Sequence, residues 1–127
     1  FLDEYSLRDT LKKITSINDF GIAGIAGSPW DLYKNRSYIV TTIVQGKNKE
    51  HVGTNIKETT EVQTVDESFF VMKKDYWEQL PFTDYPGWHF YAVEQCLRAI
   101  IDKKKNYVVP ARIWHKSTGG SEDKNYV

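Results

Sequence analysis

Apolar and polar positions follow two different periods along this chain, and each change of period marks the edge of a predicted element. Leu7, Leu11 and Ile14 recur at helical spacing behind Ser6, which predicts a short helix capped by that serine, with Lys12 and Lys13 in its last turn where the dipole favours cations. Residues 20–26 form an apolar run punctuated by Gly and Ala, which predicts a strand buried on both faces and approached closely by neighbouring backbone. Residues 27–30 read as a loop. The β-branched stretch 38–45 reads as a strand, and the polar residues 46–59 as a mobile excursion with His51 at the surface.

Further on, 61–65 and 68–72 read as two short strands flanking an acidic turn, and 74–80 as a helical turn ended by Pro81. The spacing of Tyr91, Val93, Cys96, Leu97, Ile100 and Ile101 predicts a helix over 90–101 with those residues as its core face. Residues 106–110 and 112–115 predict a strand broken at Pro110, and 117–127 a Gly- and Ser-containing tail of low order. Helices and strands thus alternate unevenly, which predicts an α/β fold with a mixed sheet flanked by helices. The abrupt start at Phe1-Leu2-Asp3 fits a piece cut from a longer chain.

Composition narrows the partners. The 127 residues are the size of one domain and carry 17 basic and 17 acidic side chains, so no overall field draws the chain to nucleic acid or to an anionic membrane, and any partner is recognised locally. No apolar run is long enough for a transmembrane segment. The one cysteine, Cys96, sits inside the helical stripe, which predicts a buried structural thiol and fits a reducing compartment. Together these predict a cytoplasmic protein, either free or peripheral at the inner face of the membrane.

Candidate chemistry lies between elements. Asp66 and Glu67 are adjacent carboxylates in a turn, a pattern that suits a divalent ion, a general base or simply a solvated corner. Glu94 falls in the first turn of a predicted helix, where the dipole alone would favour it. His89 and His115 are candidate donors or ligands, with ordinary hydrogen-bonded histidine as the plain alternative. Trp30, Trp88 and Trp114 are candidate sugar platforms or core-edge residues. The chain has no Walker loop, Cys-x-x-Cys, His-Glu-x-x-His or Gly-x-Ser-x-Gly motif. Its glycines 21, 24 and 27 do not open a helix, which removes a dinucleotide loop.

The order of these segments resembles the second half of family 2-like glycosyltransferases of the GT-A type. The resemblance rests on residues 20–28, Val65-Asp66-Glu67-Ser68, residues 87–98, Tyr107-Val108-Val109-Pro110 and Trp114-His115-Lys116-Ser117. It implies a partial GT-A-like fold and a transferase that moves a sugar from a nucleotide-sugar donor to a glycan, lipid or protein acceptor, with a divalent cation, manganese or magnesium, in the full-length enzyme. By position it implies catalytic roles for Glu94 and Asp66, sugar contacts for Glu67, Trp88, His89, Tyr91, Trp114 and Lys116, and a metal or diphosphate contact for His115. The chain has Ala92 where many relatives carry an Asp, and no Asp-x-Asp anywhere. The resemblance therefore implies a fragment of a larger transferase domain, inactive alone, with an open sheet edge that favours self-association. The competing expectation is a non-catalytic carbohydrate-binding or scaffolding module.

Overall fold

A computed structural model gives the fold and describes residues 1–31, 36–82 and 91–116, with side chains described outside 30–37. The first helix, α1 (Glu4–Thr15), is capped by Asp3 rather than by Ser6. One Asp3 carboxylate oxygen accepts from both the backbone N–H and the hydroxyl of Ser6, each at 2.7 Å. The buried face is Ser6, Thr10 and Ile14, while Leu11 faces out. Thr10 can lie in the interior because its hydroxyl donates to Ser6 O at 2.8 Å.

The apolar run after α1 is buried throughout and holds two strands, β1 (Ala23–Gly24) and β2 (Ala26–Ser28), which belong to different sheets. A Cβ on Gly24 would strike Val65 Cγ1, and one on Gly27 would strike Thr64 O, so the small residues do admit close backbone. After β3 (Trp30–Asp31) and β4 (Arg36–Ser37), which pair with each other, come β5 (Val40–Thr41) and β6 (Val44–Gln45).

The break between β5 and β6 has a side-chain cause. The Thr41 hydroxyl donates to Ile25 O at 2.7 Å, and the Thr42 hydroxyl exchanges hydrogen bonds with the backbone of Ala111, so threonine oxygens stand in for ladder bonds. The polar stretch beyond is not a simple excursion. It contains β7 (Glu50–His51), antiparallel to β6 through a turn in which Gly46 and Lys49 have φ of 76° and 53°.

Then come β8 (Thr60–Val62), β9 (Thr64–Val65), β10 (Phe70–Val71), α2 (Lys74–Gln79), α3 (Tyr91–Ile101), β11 (Asn106–Val108) and β12 (Trp114–His115). The widest sheet has the order β10-β1-β11-β8, with β1 parallel to β11 and the other pairs antiparallel. Two three-stranded sheets, β5-β2-β9 and β12-β6-β7, complete a mixed α/β architecture with helices against it. The α3 face differs from expectation: Ala92, Gln95, Cys96 and Ala99 are buried, whereas Leu97, Ile100 and Ile101 are exposed. Among the described residues no helix is long and apolar enough to cross a membrane.

One polar side chain ties these parts together. Asn106 is fully buried, accepts from Ile22 N–H at 3.0 Å, and donates to Gln63 O and Cys96 O at 3.0 and 3.2 Å. Its carbonyl and both amide protons are thereby used, the condition for a polar group to sit in a core at no net penalty.

Candidate functional site

The acidic turn is held from three sides. Val65 is buried and its N–H donates to Cys96 Sγ at 3.3 Å, which ties β9 to α3. Asp66 N–H donates to Ala26 O at 2.9 Å, and an Asp66 carboxylate oxygen accepts from Ser68 N–H at 2.9 Å. That last bond is an Asx turn, the local reason Asp-Glu-Ser reverses the chain here. Asp66 is exposed and Glu67 half-buried. Burial, and then the Asp66 charge, push the Glu67 carboxyl above its usual range.

Tyr91, the first residue of α3, lies within electrostatic reach of this turn, on the helix that neighbours β9. Its phenol is pushed up by burial and then by the charges of Glu67 and Asp66. Glu94 lies one helical turn further, half-buried and engaged with its surroundings. The structure thus brings Asp66, Glu67 and Tyr91 to one place, with Glu94 on the adjoining turn.

Sequence reasoning missed the rings that build the floor of this place. Tyr91 packs 5.9 Å from Phe70 and 5.8 Å from Phe82, and Trp77 lies 6.1 Å from Phe82. Trp77 and Phe82 are each 40% exposed, so the cluster presents aromatic surface beside the carboxylates. The available signal was the pair of aromatic positions on either side of the short helix that Pro81 ends.

The C-terminal candidates sit on another sheet. Trp114 donates its indole N–H to Gly46 O at 2.9 Å, and the ammonium groups of Lys49 and Lys116 lie 4.7 and 5.5 Å from its ring centroid. His115 is exposed and in contact with its surroundings. Trp88 and His89, and the Trp30 side chain, fall outside the described residues. Among the described residues no group of three or more His, Cys, Asp or Glu side chains could hold a metal ion, so Asp66, Glu67 and Glu94 do not form one with His115.

Two concave regions lie elsewhere. A cleft of about 530 Å³ runs between Ile100, Lys103, Lys104 and Lys105 and the strand bearing Glu61 and Gln63. A smaller one of about 150 Å³ is lined by Asp19, Lys73, Asp75, Tyr76 and Lys104 among others. Compared with known proteins, the chain matches no family model and no curated protein.

Proposed function

We propose that this chain is the acceptor-side portion of a family 2-like glycosyltransferase, partial GT-A in fold, which moves a sugar from a nucleotide-sugar to a glycan, lipid or protein hydroxyl. The observation that carries the reading is the meeting of the Asp66-Glu67 turn with Tyr91 over an exposed aromatic floor. Carboxylates hydrogen-bond sugar hydroxyls, and ring faces cover the apolar side of a pyranose, so the two together suit a sugar acceptor.

In this proposal Glu94 takes the proton from the attacking hydroxyl, and Asp66 orients it. Glu67, whose proton affinity is raised by burial and by Asp66, is a second carboxyl tuned toward proton transfer. Trp88, His89, Trp114 and Lys116 extend the sugar contacts, and His115 belongs to the diphosphate side. The divalent cation of the proposal sits between His115 and ligands of the donor half of the full-length enzyme; the described residues alone hold no group of three ligands.

The test is calorimetric titration with uridine diphosphate, with and without manganese, on this chain and on the full-length transferase. Manganese-dependent binding that His115→Ala weakens, and loss of turnover in full-length Glu94→Gln with the fold intact, are the expected results. A full-length protein that binds no nucleotide, or that turns over normally with Glu94→Gln, overturns the reading or its base.

A further inference from the structure

Helix α3 carries two apolar stripes side by side. One, Ala92, Cys96 and Ala99 with Gln95, is packed against the sheet. The other faces out: Leu97 is 45% exposed, Ile100 39% and Ile101 82%. Leu97 and Ile101 are four residues apart and Ile100 three from Leu97, so the three lie on one flank. Three large aliphatic side chains left open on one flank of a helix mark a surface that meets something apolar.

The lysines just beyond Ile101 give that partner a charge. Lys103, Lys104 and Lys105 line the cleft that Ile100 also lines, against a single acidic side chain there, Glu61, so the cleft is net cationic. Lys104 is bound to Asp19 at 3.1 Å and Lys105 reaches Glu61 only at 3.6 Å. Lys103 makes no ion pair with a carboxylate among the described residues, and it occupies the helix-ending position with φ 63°. There Lys104 N–H donates to Ala99 O and Lys103 N–H to Ile100 O, both at 2.9 Å, the arrangement in which glycine is normally favoured. A lysine kept in a conformation unfavourable to any side chain is a functional pointer once it coincides with a cationic cleft and an open apolar flank.

The geometry points to this end of α3 as a membrane-docking surface, with Leu97, Ile100 and Ile101 entering the acyl boundary of an anionic bilayer and the lysines meeting its phosphate headgroups. Such a surface combines buried apolar area with attraction to acidic lipid, each too weak alone. The surface lies at the opposite end of α3 from Tyr91, and the inference stands whether or not the transferase reading does.

The experiment is flotation of the 127-residue chain with vesicles of phosphatidylcholine alone and of phosphatidylcholine with phosphatidylglycerol. Binding is expected to the anionic vesicles only. Lys103→Ser with Lys105→Ser should weaken it roughly thirtyfold, and Leu97→Ser with Ile101→Ser roughly tenfold or more, with circular dichroism unchanged in both. Binding that ignores the lipid charge or survives either pair of substitutions overturns the proposal. So does full competition by inorganic phosphate at matched ionic strength, which assigns the cleft to a soluble anion. Concentration-dependent dimerisation without vesicle binding, lost on Ile101→Ser, makes the flank a self-interface and also overturns it.

Discussion

The backbone N–H of Val65 donates to the sulfur of Cys96, 3.3 Å away, so the residue just before the acidic turn is fastened to the middle of α3. Burial pushes the Cys96 thiol up to about 11, and the bond from Val65 offsets that only in part. Cys96→Ala removes the acceptor and leaves a buried N–H unpaired, and should lower unfolding free energy by about 1–3 kcal/mol in urea titration. The native thiol should react with iodoacetamide only at the rate at which the protein opens.

Asn106 is the more severe test of the same region. Replacing it by Ala leaves the Ile22 N–H and the Gln63 carbonyl without this partner and takes a second bond from the Cys96 carbonyl, and the expected loss is about 3 kcal/mol. Thermal unfolding followed by circular dichroism reads it directly. A loss below about 1 kcal/mol would mean that water satisfies those groups.

Lys103 offers the opposite sign. With φ 63° it sits where glycine carries no steric penalty, so Lys103→Gly should stabilise the protein by about 0.5–1 kcal/mol, measured as a higher urea midpoint. If this lysine serves a membrane, the stabilised variant binds anionic vesicles less well.

Alkaline pH tests Tyr76, which is buried and donates its hydroxyl to Asp102 at 3.0 Å. Burial, then the bond to Asp102 and its charge, push the phenol up to about 12. The unfolded chain releases this proton near the ordinary tyrosine value of about 10, while the folded chain holds it. The contribution is therefore complete below about pH 10 and is lost as pH rises toward about 12. Tyr76→Phe should cost about 1 kcal/mol at neutral pH and flatten that alkaline decline.

Glu67 gives an acid-side counterpart. Its carboxyl is raised in the folded state, so its contribution is present below the ordinary carboxylate range and is lost as pH climbs through the folded value. Glu67→Gln should therefore raise the melting temperature near neutral pH and leave it nearly unchanged at strongly acidic pH.

The sequence was legible where local chemistry and burial agree. Asp66-Glu67-Ser68 reads as a turn because the Asp66 side chain makes that turn itself, and the 20–26 run reads as buried because it is. The α3 stripe was misplaced in rotation because Gln95, a polar residue, is buried through its amide donating to Leu80 O and its carbonyl accepting from Arg98, while three aliphatics stayed outside. The hairpin of β6 and β7 was hidden by its polar composition, since it is held by backbone pairing and left-handed turn residues rather than by apolar burial. That Glu67 and Tyr91 share one place was an expectation from the ends of elements and from the resemblance alone, because no periodicity relates a turn to the start of a later helix.

The bond from Ile22 to Asn106 spans 84 residues, and β1 borders β11 on one side and β10 on the other. On a ribosome, β1 through β10 are made well before β11 emerges, so β1 waits with one edge unpaired through most of synthesis. The acidic turn gains its anchor to α3 earlier, once Cys96 has been made. A nascent chain stopped before residue 106 would carry every carboxylate of the candidate site while the edge of β1 that β11 covers stood open.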